Sequence, residues 1–165
     1  MHLLDTDIVF DLRNAKAGSA DPGLAAWAAG AARSSLFISA VTLLELETLA
    51  ARAERKDKAR GLRLRDWLDQ RVAPAFEGRI LPVDAAVVRR RAGVPLTDSR
   101  DALLAATALE HGLTLATRDT AAFAKVPRLK LFNPRGYKPE ADDEEDWGQA
   151  AKAGSQWLRN IFVRG

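Results

Sequence analysis

Hydrophobic positions along the chain alternate between short apolar runs and longer stretches in which apolar residues return every three or four positions, the signatures of buried strands and amphipathic helices. His2-Leu3-Leu4 is the first short run. It ends at Asp5, and Ile8-Val9-Phe10 carries the pattern into a helix that ends near the Ala/Gly/Ser segment at 15–20. Asp21-Pro22 puts a capping acid before a proline suited to the first helical turn, and Leu24, Trp27 and Ala31 follow at helical spacing to about Arg33. Leu36-Phe37-Ile38, closing at Ser39, predicts a second strand, and Val41 to Ala53 a helix. Residues 52–71 carry eight basic side chains among Leu62, Leu64, Trp67 and Leu68, which predicts a second helical arm with one apolar stripe and a charged outer face.

Arg79 to Val83 reads as a strand, and Pro82 favours a sheet edge or a strand end. Asp84 caps a helix running to about Gly93. Asp98-Ser99-Arg100-Asp101 opens a long apolar helix, which Gly112 closes. Leu113 to Thr117 is a strand, Ala122-Phe123 marks a short helix, and Leu129 to Phe132 supplies a last strand before Asn133-Pro134. This alternation predicts an α/β layer fold with a mainly parallel central sheet.

The chain has 165 residues, enough for one domain with an extension at one end. It has no cysteine and two histidines, His2 and His111, which excludes disulfides and thiolate chemistry and disfavours a zinc site or a Ser-His-Asp triad. Any metal must therefore be held by oxygen. No apolar run approaches a membrane span, and Asp5, Asp7 and Asp11 interrupt the stretch a signal peptide would need, so the expected location is the cytoplasm, without membrane contact. The net charge of +3 conceals a division: residues 1–138 hold 22 Lys+Arg against 16 Asp+Glu (+6), and residues 139–165 hold 3 against 6 (−3). A basic body suits a polyanion such as RNA, provided the chemistry agrees.

In an open parallel sheet, ligands gather in the crevice beyond the carboxyl ends of the strands. Asp5 directly follows strand one, Asp119 lies two residues beyond the strand ending at Thr117, Glu45 sits one turn into the helix after strand two, and Asp101 is in the first turn of the long helix. Carboxylates brought together repel and raise one another's pKa unless a cation neutralises them, which implies Mg2+ or Mn2+. Each acid also has a structural reading. Asp98 and Asp101 suit a helix cap, Glu45 a solvent-facing position beside Glu47, and Asp119 a turn. Asp5 has the least structural purpose of the four.

The segments LLDTDIVFDL at 3–12, FISAVTLLELETL at 37–49, DSRDALLAATALEHGLTLATRD at 98–119, AAF at 121–123 and LFNP at 131–134 resemble, in order and spacing, the PIN domain of VapC-type and FitB-type toxins of bacterial toxin–antitoxin pairs. The resemblance covers roughly residues 1–136. It implies a three-layer α/β/α fold, Mg2+-dependent ribonuclease activity, a homodimer, and a cognate antitoxin that blocks the site. The family's acidic residues fall on Asp5, Glu45, Asp101 and Asp119, with Thr117, Thr6 and Ser39 as supports. On this reading Asp5, Asp101 and Asp119 take the metal, and Glu45 holds a water or acts as base. Arg100, Arg118 and the basic arm at 52–71 hold the RNA backbone. Where the family often shows Asn-Pro-Trp, this chain has Asn133-Pro134-Arg135, so the last edge is expected to pack differently.

Two other readings stay open. Asp5-Thr6-Asp7-Ile8-Val9 also fits the first motif of haloacid dehalogenase-like phosphatases, with Asp5 as nucleophile and Ser39 as a second-motif mimic. A non-catalytic RNA-binding module would keep the basic surface without turnover. The sequence divides into a nuclease-like domain at 1–138 and, at 139–165, an acidic linker followed by a short amphipathic helix bearing Trp147, Trp157, Ile161 and Phe162. That tail is expected to lie across its own or its dimer mate's body with Arg159 or Arg164 near the acids. Leu24, Trp27, Leu62, Trp67 and Leu68 are expected to exceed what one small domain buries, and so to form a dimer face.

Overall fold

A computed structural model of the chain describes residues 1–14 and 21–138. The expectations for the acidic linker, the terminal helix and Arg159 or Arg164 lie outside the described residues. Five strands, β1 (His2–Leu4), β2 (Leu36–Ser39), β3 (Ile80–Leu81), β4 (Thr114–Ala116) and β5 (Lys130–Phe132), form one sheet in the order β3-β2-β1-β4-β5 with every pairing parallel. The order runs outward from β1 in both directions, so the chain reverses its winding between β1 and β4. In such sheets the crevice at the reversal is the ordinary ligand site.

Period-two alternation sends neighbouring residues of each strand into opposite cores. Leu3 and Leu115 enter one with Val87, Ala105 and Phe123, whereas Leu4, Ile38 and Ala116 enter the other with Ile8, Leu24, Leu46 and Leu68. Helices α1 (Thr6–Asn14), α2 (Pro22–Gly30), α3 (Ala40–Lys56) and α4 (Lys58–Trp67) contribute to the Leu4 core. Helices α6 (Ala85–Arg91), α7 (Ser99–Glu110) and α8 (Thr120–Phe123) contribute to the Leu3 core. The result is the expected three-layer α/β/α arrangement, with all pairings parallel.

The predicted caps hold. Asp21, Asp84 and Asp98 each accept hydrogen bonds from backbone N–H groups of the first helical turn that follows, at 2.9–3.1 Å. The differences lie where tertiary packing overrides local pattern. α2 stops at Gly30, and a short 3-10 turn, Arg33–Ser35, leads into β2. The strand expected at Arg79–Val83 shortens to Ile80–Leu81, because Pro82 has no N–H to continue the ladder. The basic stretch divides into two helices at Asp57, whose extended backbone (φ −150°) ends α3 and whose carboxylate caps α4 through the Arg60 N–H at 3.0 Å. A π turn, Leu68–Val72, and a single helical turn, α5 (Ala73–Ala75), then carry the chain toward β3.

The dimer argument built on apolar surplus is corrected here. Leu24, Trp27, Trp67 and Leu68 are at most 8% exposed and complete the monomer's own core; only Leu62 of the five is exposed. The α3 and α4 helices pack as a hairpin that Arg65 laces by ion pairs to Glu47 and, at 3.0 Å, to Glu54. At their crossing, a Cβ on Gly61 would overlap the Glu54 backbone. Alanine ordinarily strengthens a helix by about 1 kcal/mol over glycine, but the overlap here reverses the sign. Gly61→Ala is expected to destabilise the protein by about 3 kcal/mol and lower its melting temperature by about 6–12 °C in a thermal scan; an increase would show the crossing to be loose.

Candidate active site

The site begins at the carboxyl end of β1. The Asp5 N–H donates to the Ala116 carbonyl at 3.0 Å, extending the β1–β4 ladder by one rung, and the Asp5 carbonyl accepts from Ile8 and Val9 as α1 opens. Its carboxylate is thereby fixed at the winding reversal, where Oδ1 accepts from the Thr6 N–H at 2.7 Å and Oδ2 from the Thr117 hydroxyl at 2.7 Å. Thr117, fully buried after β4, in turn accepts from the Asp119 N–H at 3.2 Å. One hydroxyl thus ties together the acids after β1 and β4.

Glu45 reaches the same place from α3. The buried Thr42 hydroxyl donates to the Leu4 carbonyl at 3.2 Å, mooring the first turn of α3 at the end of β1. Three residues further on, Glu45 accepts a short hydrogen bond from the Thr6 hydroxyl through Oε2 and meets Arg100 Nη1 at 3.1 Å through Oε1. Asp101 stands in the first turn of α7, which Asp98 caps. Asp119 caps α8 through the Ala122 N–H at 3.0 Å.

The electrostatics express this crowding. The Asp5 carboxyl is pushed up from 3.8 to about 6, first by burial and then by the charge of Asp7, with Glu45 adding to it against the hydrogen bonds from Thr117 and Thr6. Asp101 is also raised, by burial and then by Asp98, Glu45 and Asp119, with Arg100 opposing. Asp98 moves the other way, because backbone N–H groups of Asp101 and Arg100 hold its charged form. Asp5, Glu45, Asp101 and Asp119 are therefore linked in one electrostatic cluster built from four separate segments of the chain.

Among the described residues, no three acidic or histidine side chains gather closely enough to ligate an ion unaided. The donors at this place are all carboxylate and hydroxyl oxygens, and the raised carboxyls of Asp5 and Asp101 are of the kind a hard divalent cation would neutralise.

The supporting residues divide. Thr6 and Thr117 orient Glu45 and Asp5. Ser39 does not reach the acids: it is fully buried and caps α3 through the Val41 N–H at 3.1 Å. Arg100 stands over the cluster, against Glu45 and, at 3.7 Å, Asp98. Arg118 turns toward α1 instead. Its backbone N and Nε lie 3.0 and 2.9 Å from Asp7 Oδ2, and its Nη1 lies 3.5 Å from Asp11.

Asp7 and Asp11 were not among the candidate site residues, although their spacing of four puts them on one face of α1. Through Arg118 they clamp the Thr117–Asp119 turn, and Asp11 also holds Arg135 at 2.8 Å. That last pair holds the segment after Asn133-Pro134 against α1.

Comparison with known proteins agrees with this geometry. The PIN domain family model matches residues 3–129. The VapC ribonuclease Y4jK of Sinorhizobium fredii is 33% identical over 143 residues, which cover 81% of this chain and 97% of that protein. Toxin FitB of Neisseria gonorrhoeae is 32% identical over 145 residues, covering 81% and 98%. The crystal structure of FitAcB from Neisseria gonorrhoeae superposes with a TM-score of 0.70 at 31% identity, covering 81% of this chain and 98% of that one. The haloacid dehalogenase-like alternative gains no support from these matches. Sheet order, the acids at the winding reversal and the extent of these matches together make this chain a member of the PIN-domain family, of the VapC and FitB toxin type.

Proposed function

We propose that this protein is a divalent-metal-dependent endoribonuclease, the toxin of a toxin–antitoxin pair. What supports the reading most is the Asp5 carboxylate fixed at the winding reversal by Thr6 and Thr117, with Thr6 also holding Glu45 and Thr117 also holding the Asp119 N–H, in a chain whose relatives include a protein named VapC ribonuclease. Residues 1–138 form the nuclease domain, and the protein acts in the cytoplasm.

When bound, Mg2+ or Mn2+ supplies positive charge to the phosphoryl oxygens and acidifies an attacking water. The chain supplies the rest. Thr117 and the Thr6 N–H hold the Asp5 carboxylate in one orientation, so that it meets the cation without rearranging. Asp101 and Asp119 stand in or before the first turns of α7 and α8. Glu45, oriented by the Thr6 hydroxyl, takes a hydrogen bond from the water, whether as its base or as its anchor. Arg100, on the rim of the acids, exchanges its carboxylate partners for the scissile phosphate. The α3–α4 hairpin offers the exposed Arg52, Arg55, Lys56, Lys58, Arg60 and Arg63 to the RNA backbone.

A cognate antitoxin is the partner that membership of this toxin family implies, and it covers the acid crevice. A homodimer is the assembly that membership of this toxin family implies. The test is cleavage of RNA by the purified protein in Mg2+ and in EDTA. Cleavage only with the cation is expected; equal cleavage in EDTA, or a stable phosphoryl adduct on Asp5 from a small phosphoryl donor, would overturn the reading.

A further inference from the structure

A second basic feature lies at the opposite end of the sheet. A groove of about 610 Å3 runs between α6, the last turn of α7 and the stretch joining α8 to β5, lined by Arg89, Arg90 and Arg128 around Leu109 and Pro127. Asp101 and Glu110 mark the two ends of α7, and nine residues at 1.5 Å separate the groove from the acids by about 14 Å along that helix.

Helix dipoles account for part of the charge but not all of it. Both α6 and α7 end here, and cations offset the negative ends of helices. Arg90 does so while pairing with Glu110 at 2.9 Å, which cross-links the two helices. Among the described residues, Arg89 and Arg128 meet no carboxylate. Arg128 is the more informative of the two. Its φ of 63° lies in the left-handed region, and it is the one non-glycine residue among those described to do so. Glycine would relieve about 1 kcal/mol there. An arginine at that backbone position therefore lowers stability, and its side chain lines the groove without an ion-pair partner among the described residues. Backbone strain of this kind recurs at ligand-holding positions, and here it coincides with a groove lined by three arginines.

We propose that this groove is a second RNA-binding surface, in which Arg89 and Arg128 grip phosphates of a strand whose scissile bond lies at the acids. The proposal rests on the ribonuclease reading above and adds to it a reason for substrate length. At about 3.4 Å of axial rise per nucleotide in a stacked strand, 14 Å corresponds to about four nucleotides. Only an RNA extending at least that far from the cut reaches both sites.

The test is the cleavage of a labelled unstructured 20-nucleotide RNA in Mg2+, with binding of the same RNA measured by anisotropy in EDTA across a salt series. For Arg89→Glu/Arg128→Glu, KM is expected to rise about tenfold with kcat within about twofold of wild type. The slope of log Kd against log salt should become shallower by about 1.4, the value for two lost single-strand phosphate contacts. Arg128→Gly removes the side chain while relieving the backbone, so it should raise the melting temperature by about 2–4 °C and KM about threefold. Wild-type KM and salt slope in these variants, with RNA cleavage intact, overturn the groove alone. A wild-type protein that neither binds nor cleaves RNA overturns the ribonuclease reading and the groove with it.

Discussion

Asp5→Asn removes RNA cleavage by at least about a hundredfold to a thousandfold and, in the metal-free protein at pH 7, raises the melting temperature by about 3–6 °C. The two effects have one cause. Asp5 is held at the sheet's winding reversal by burial and by ladder and hydroxyl contacts, next to Asp7 and Glu45, and its carboxyl titrates at about 6 in the folded protein against 3.8 outside it. Because the folded value is the higher, the protonated form favours folding. That contribution is complete below about pH 4 and is lost as pH rises through about 6. At pH 7 the ionised group destabilises the metal-free fold, by at most about 3 kcal/mol for a shift of this size. Asparagine removes the charge and keeps an acceptor for the Thr117 hydroxyl, but gives up one of the two acceptors the carboxylate offered, so about 1–2 kcal/mol should remain. A calorimetric scan beside a cleavage assay checks both halves. A variant that is inactive and less stable than wild type would show that Asp5 holds the fold rather than the cation.

Metal binding should strengthen with pH over the same interval. A cation requires the ionised form of Asp5, and a group titrating at about 6 is about one-tenth ionised at pH 5 and nine-tenths at pH 7. The affinity for Mn2+ or Mg2+ is therefore expected to be about tenfold weaker at pH 5 than at pH 7, with close to one proton released per ion near pH 5. Asp101, raised by burial and by Asp98, Glu45 and Asp119, shifts the balance in the same direction. Calorimetric titration in two buffers of different ionisation enthalpy separates the proton release from the binding heat. Affinity independent of pH, with no proton released, would place the ion on groups other than Asp5.

The layers of this fold are readable in the sequence because local signals and tertiary fate agree. His2-Leu3-Leu4 is apolar on both faces, as a central parallel strand must be, and Asp21, Asp84 and Asp98 cap the helices they precede. The four acids proposed for the site can be picked out as candidates for a related reason, since each stands just past a strand or in the opening turns of a helix. Pairing is not readable in the same way. Nothing local to Arg118 says that its guanidinium turns to Asp7 and Asp11 on α1, because that choice depends on how the β4–α8 turn meets a helix more than a hundred residues earlier. Ser39 has the right type and place for a site residue, yet its hydroxyl is used by the α3 cap. The apolar stripe at Leu64, Trp67 and Leu68 has the same periodicity whether it faces a partner or its own core, and only the fold of the α3–α4 hairpin assigns it to the core.

The central claim is that RNA is cut by a cation held at Asp5, Glu45, Asp101 and Asp119, and one measurement addresses it directly. RNA ends are sequenced after brief exposure to the purified protein, with wild type in Mg2+, wild type in EDTA and Asp5→Asn in Mg2+ run in parallel. The account predicts new ends at defined positions with wild type in Mg2+ alone. The same ends in EDTA or from Asp5→Asn would contradict it.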